Sequence, residues 1–282
     1  MNKTLLLFLC MAAVAMASFC DNTSEFTLTW SDEFEGSVVD ENHWTVLGAN
    51  VDPVGGSCRS AYCDSANVWV KDGNLVLASR RNNTFHGYNY TTGAVNSRGK
   101  ANWWPNTTFR LCVRAMLPGA ETPKGAAQGV WPAHWMMPDG SGTPDPFPCD
   151  PDLGEMDILE MIDGNAQAYS TYHWQTTYPK KPCAYPEGHH QLDNFTSLSA
   201  GWNSTFHEFS VERGSEHLLF AVDGTVILNT STALPRPLLW SVPWYVILNT
   251  AIGGSWPGEP TDTTVMPIYH TIDYVRVATK TK

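Results

Sequence analysis

The stretch GEMDILEMI, Gly154 to Ile162, sets three acids among apolar side chains. Glu155 and Asp157 alternate with Met156 and Ile158, the two-residue period of a strand pleat. Glu160 falls out of phase: in a regular strand, residues an odd number apart face opposite sides, so Glu155 and Glu160 would part company. One extra residue absorbed at Ile158-Leu159, a β-bulge, restores the phase. Met156, the Ile158/Leu159 pair and Met161 then turn into a core, and three carboxylates stand in a row on the other side. An amphipathic helix with Met156, Leu159, Leu153 and Ile162 inward fits less well. Gly154 starts the run, Asp163-Gly164 ends it, and the segment is short for a helix.

Three acids on one face repel one another and resist desolvation, so a purely structural strand gains nothing from them. Spacing alone leaves two readings open, a catalytic row and a solvated polar face. With the bulge, Glu155 and Glu160 are effective i, i+4 neighbours, about 13 Å apart at Cα from the strand rise. Long glutamate side chains can lean together across that gap over a shorter central aspartate. Two carboxyls about 5 to 5.5 Å apart form the retaining-glycosidase arrangement, one a nucleophile and the other an acid that later serves as base.

Around this stretch the chain is a series of short apolar runs punctuated by Gly, Pro, Asn and Asp. FTLTW from Phe26 and ANVWVKDGNLVLASR, with Asp72-Gly73 as a hairpin turn, open it. TFRLCVRAML, AYSTYHWQ, FHEFSVER, HLLFAVDGTVILN with a second Asp-Gly turn, WYVILNTAIGG and TIDYVRVAT continue it. Long helical periodicity is absent. The pattern predicts an all-β, two-sheet antiparallel sandwich of jelly-roll, concanavalin A-like type, with a concave cleft carrying the site.

Residues 1–17 read as a signal peptide: Lys3, an apolar run, then Ala15-Met16-Ala17 as the small-x-small cleavage pattern. Residues 18–282 are then expected to form one catalytic domain, secreted and extracellular. Six cysteines remain, an even set suited to an oxidising compartment; Cys58–Cys63 and Cys149–Cys183 are the expected pairs. Sequons at Asn22, Asn82, Asn89, Asn106, Asn194, Asn203 and Asn229 fit a secreted glycoprotein. Losing the leader leaves 16 basic against 28 acidic residues, a net charge of −12. Such a surface repels nucleic acid and anionic membranes and suits a neutral substrate.

GEMDILEM resembles the signature of glycoside hydrolase family sixteen, in its laminarinase-like branch with the bulged catalytic strand. SDEF (31–34), VNSRGK (95–100), RAMLPG (114–119), GVWPAHWMMP (129–138), ILNTAIGGSWPG (247–258) and IDYVRV (272–277) extend the resemblance along the chain. It implies Glu155 as nucleophile, Glu160 as general acid/base and Asp157 as the assisting carboxylate. Two departures bear on sugar contacts. Asp150 stands where laminarinases often have the Trp of a Trp-Pro pair, within a Pro- and Gly-rich insert from Asp139 to Leu153, and Cys112 replaces a residue usually acidic in the family.

Most of the twelve tryptophans read as core. For Trp131, Trp135 and Trp256 the resemblance implies stacking against sugar rings. His173 shares a strand face with Thr171 and Gln175 and resembles the family histidine that hydrogen-bonds a carboxylate or a sugar hydroxyl; a structural histidine fits the pattern nearly as well. Arg98 and Asn67 resemble polar subsite residues, and Asn249 is a further cleft candidate. Asp273 with the Gly73 carbonyl resembles a convex-face structural calcium site, with a plain turn and strand-end aspartate as the alternative. No cofactor is expected for catalysis. The function implied is hydrolysis of β-1,3-glucan by double displacement in a monomer whose partner is the polysaccharide. Hydrolysis or transglycosylation of another β-linked polysaccharide, mixed-linkage glucan or galactan, and non-catalytic glucan recognition are the alternatives.

Overall fold

The computed structural model describes residues 17–48, 57–101, 106–119, 125–139, 154–175, 189–231 and 243–281. In chain order its strands are β1 (Phe26–Asp32), β2 (Thr45–Val46), β3 (Tyr62–Cys63), β4 (Val68–Lys71), β5 (Asn74–Phe85), β6 (Tyr88–Thr92), β7 (Ala94–Asn96), β8 (Phe109–Met116) and β9 (Val130–Pro138). Then follow β10 (Glu155–Glu160), β11 (Gln167–Gln175), β12 (His189–Ser197), β13 (His207–Arg213), β14 (Leu218–Val222), β15 (Thr225–Asn229), β16 (Trp244–Ile252) and β17 (Ile268–Lys280). The acidic stretch is β10, so the helical alternative is excluded.

Two sheets result. One has ten strands, ordered β15-β14-β13-β8-β17-β5-β6-β3, with β1 on β17 and β4 on β5; the other has seven, ordered β12-β11-β10-β9-β16-β7-β2. Both expected Asp-Gly hairpins form. Asp72 and Gly73 have φ of 53° and 73°, and Asp223 and Gly224 have 48° and 74°, the double left-handed geometry that matches strand twist. The chain passes from the ten-stranded to the seven-stranded sheet at Gly93, where a Cβ would stand 2.5 Å from the Asn67 carbonyl oxygen.

Alternation along the seven strands decides which face packs inward. Met136, Met156, Tyr172, Val246, Leu248 and Val95 lie in the main core with Leu111, Val113, Phe209, Val211 and Val275 of the other sheet. Each such side chain taken from water contributes roughly 1.5 to 3 kcal/mol. The core also holds buried polar groups: His134 and His270, both fully buried, bring their Nε2 atoms within 2.9 Å across the two sheets.

Cys58 and Cys63 are bonded, as their spacing predicts. Cys112 bonds Cys20, a pairing across 92 residues that ties the N-terminal segment to β8. Cys149 and Cys183 lie outside the described residues, as do residues 1–16 of the expected leader. Among the described residues, no helix is long and apolar enough to cross a membrane.

Candidate active site

The register of β10 contains the predicted extra residue. Against β11, Asp157 pairs with Thr171 and Glu160 with Tyr169, a shift between Asp157 and Glu160; against β9 the shift falls between Asp157 and Leu159. Ile158 and Leu159 are both fully buried, so the bulge is held by two apolar side chains where a regular strand would bury one. Within the bulge the buried Ser170 hydroxyl donates to the Ile158 carbonyl oxygen at 2.8 Å. At the other end Gly154 takes φ +101°, with the His173 carbonyl 3.1 Å from where a Cβ would be. A side chain there would be both strained and crowded.

With the register set this way, Glu155, Asp157 and Glu160 share the face away from the core, and each gains a neighbour from β11: His173 opposite Glu155, Thr171 opposite Asp157 and Tyr169 opposite Glu160. Asp157 is buried and its Oδ2 lies 3.1 Å from His173 Nε2. One ligand atom from each of Glu155, Asp157 and His173 falls within 4.8 Å of the others, the set among the described residues with spacing for a cation. Glu160 is half-buried and accepts a hydrogen bond from Trp131 Nε1 at 3.0 Å. Burial raises the Glu160 carboxyl above its ordinary range, partly offset by His173, the Trp131 N–H and Arg59. A shift in this direction favours the protonated form that a general acid needs.

The remaining candidates sort by position. Trp256 is exposed and its ring meets Trp131 edge-on at 5.4 Å. Trp135 is nine-tenths buried in the floor of the same face, with Ala133, Met137, Tyr245 and Ile247. Its Nε1 donates to Asn249 Oδ1 at 2.8 Å, and Asn249 Nδ2 donates to the Ser57 carbonyl at 2.7 Å, fastening the Cys58–Cys63 loop to the floor. Arg98 pairs with Asp139 at 3.5 Å and lies over the Tyr245 ring. Asn67 is buried beside the Gly93 crossover, its Nδ2 without a hydrogen-bond partner.

Asp273 stands near the Asp72-Gly73 turn, since Ile272 pairs with Leu75, but its carboxylate is held by the Arg114 guanidinium. A carboxylate already neutralised by a guanidinium is a poor divalent-cation ligand, so the pair does not fit the expected calcium. Sequence reasoning overlooked Arg59, whose guanidinium sits 5.1 Å from the Trp131 ring centroid, and Tyr169. Tyr169 was within reach, because it continues the Thr171-His173 face by one more step of two.

Residues 119–276, more than half of the chain, match the sequence profile of Glycosyl hydrolases family 16. A beta-glucanase of Rhodothermus marinus is 28% identical over 276 residues, covering 91% of this chain and 86% of that protein. The laminarinase catalytic domain of Thermotoga maritima superposes with a TM-score of 0.72 at 28% identity, covering 92% of this chain and 100% of that one. The endo-beta-1,3-glucanase of Pyrococcus furiosus superposes with a TM-score of 0.73 at 26% identity, covering 91% and 95%. The two-sheet jelly roll, the bulged acidic strand on its outer face and the profile match agree: the chain is a glycoside hydrolase and belongs to family 16.

Proposed function

We propose that the protein is a secreted, retaining endo-β-glucanase that cuts β-1,3-linked glucan. Glu155 attacks the anomeric carbon while protonated Glu160 gives its proton to the leaving oxygen; Glu160, now a base, takes a proton from the water that frees the sugar. Asp157 keeps a carboxylate between them and, with His173, orients the row. Side chains alone carry these steps. Trp131, Trp256 and the floor around Trp135, Asn249 and Arg98 hold the sugar units.

The observation that supports this most is the bulge, which brings Glu155 and Glu160 to one face, where burial raises the Glu160 carboxyl above its ordinary range. The choice of β-1,3-glucan draws on the names of the relatives. The leader, the sequons and disulfides support an oxidising, extracellular setting. Having both catalytic glutamates favours catalysis over passive glucan recognition.

The experiment is digestion of laminarin, with mixed-linkage glucan, agar and carrageenan alongside. Laminarin should yield reducing ends, and Glu155→Gln should abolish them while leaving laminarin binding. Activity retained in Glu155→Gln would reject the assignment, and preferential cleavage of another polysaccharide would replace the substrate.

A further inference from the structure

An aromatic strip leaves the acid/base and runs to β12, the last strand of the seven-stranded sheet. Trp131, hydrogen-bonded to Glu160, meets Trp256 at 5.4 Å; Trp256 meets Tyr169 at 5.3 Å; Tyr169 meets Phe195 at 5.2 Å. The strip follows the strand register, because Glu160 pairs with Tyr169 and Tyr169 with Phe195, placing the three on one face. Phe195 lies on β12, the last strand of that sheet, two strand spacings or about 10 Å from Glu160.

Phe195 is 48% exposed and Trp256 43% exposed. Phe195 pairs across the strands with Tyr169, which steadies the sheet, and about half of its surface is left in water beside the exposed Trp256. Tyr169 is fixed from the side, its hydroxyl donating to Gln167 Oε1. Flat rings held open to solvent and continuous with a sugar-cleaving centre match the apolar face of a pyranose.

We propose that Tyr169 and Phe195 form an additional subsite, in which a glucosyl unit of the bound glucan, beyond those at the reacting centre, stacks on the Phe195 ring. The subsite rests on the β-glucanase reading. It makes the enzyme favour long chains, since only a substrate reaching β12 collects the contact.

The test compares kcat/KM on laminaritriose and laminarihexaose for the native protein, Phe195→Ala and Phe195→Trp. In Phe195→Ala the ratio of the long to the short substrate should fall about tenfold, the size of one aromatic contact, and Phe195→Trp should restore it. Phe195→Lys serves as a second variant should the alanine form fold poorly, with the same expected fall. An unchanged ratio in a folded variant, or equal loss on both substrates, overturns the subsite. If the native chain cleaves neither oligosaccharide, the β-1,3-glucan reading fails and the subsite with it; if it cleaves them and the ratio holds, the subsite alone fails.

Discussion

Trp131→Phe isolates the hydrogen bond that reaches the acid/base. Glu160 is pulled two ways: burial favours its protonated form, while the Trp131 N–H, His173 and Arg59 favour the ionised one. Phenylalanine keeps an aromatic ring under Arg59 and beside Trp256 but removes the donor at 3.0 Å. A hydrogen bond to a charged group is worth about 1.5 to 3 kcal/mol. Glu160 is only half-buried, so the lower end applies, and about 1.4 kcal/mol corresponds to one pKa unit. Loss of a partner of the ionised form moves the pKa up by about one unit. The acid must carry its proton to react, so activity is present below this pKa and lost as pH rises through it. The basic limb of kcat/KM against pH, which reports the free enzyme, should therefore move about one unit to higher pH. Weaker sugar stacking would raise KM without moving the limb. A limb that stays in place or moves to lower pH would refute the role given to the bond, to Glu160 or to both.

Three further outcomes are expected. Ser170→Ala removes the hydroxyl that donates to the Ile158 carbonyl in the bulge and should lower stability by about 1 to 3 kcal/mol in urea, with a loss of kcat as Glu160 shifts; an unchanged kcat would mean the bulge does not depend on that hydroxyl. Replacing Cys20 and Cys112 together by serine opens a constraint spanning 92 residues and should cost about 2 to 5 kcal/mol, read from the denaturation midpoint; no change would show that the N-terminal segment adds nothing to the fold. Burial lowers His134 and takes His270 down to about 3, so the folded protein refuses protons that the unfolded chain binds from about pH 6.5. Stability is intact above that pH and falls between about 6.5 and 3 on account of His270, by up to about 1.4 kcal/mol per pH unit, and His134 adds to the fall in the same direction. His270→Gln should flatten the fall in Tm between pH 7 and 5, and an identical fall would clear the pair.

How much of this was legible depends on the range of the signal. The bulge could be read because two-residue alternation is local and one residue breaks its phase; the same rule placed Met156, Ile158, Leu159 and Met161 in the core. The Asp-Gly hairpins and Cys58–Cys63 are local too. Cys20–Cys112 was missed because partners 92 residues apart leave no spacing cue, and Cys112 was read only as a departure from the family pattern. Ser170 under the bulge, Arg59 over Trp131 and the line from Glu160 to Phe195 exist only once β9, β10, β11 and β12 are in register. No single strand states its register with another. Asn67 and Asp273 show the opposite limit: a position that resembles a family site is recast by its neighbours, here the Gly93 crossover and the Arg114 guanidinium.

The assignment of Glu155 as nucleophile is tested most directly by trapping. Treatment with a 2-deoxy-2-fluoro laminaribioside bearing an activated leaving group should add one glycosyl unit, and mass spectrometry of the digested protein should find it on the peptide carrying Gly154 to Ile162, attached at Glu155. A label on Glu160, or slow hydrolysis with no adduct formed, would contradict the roles assigned to the two ends of the acidic row.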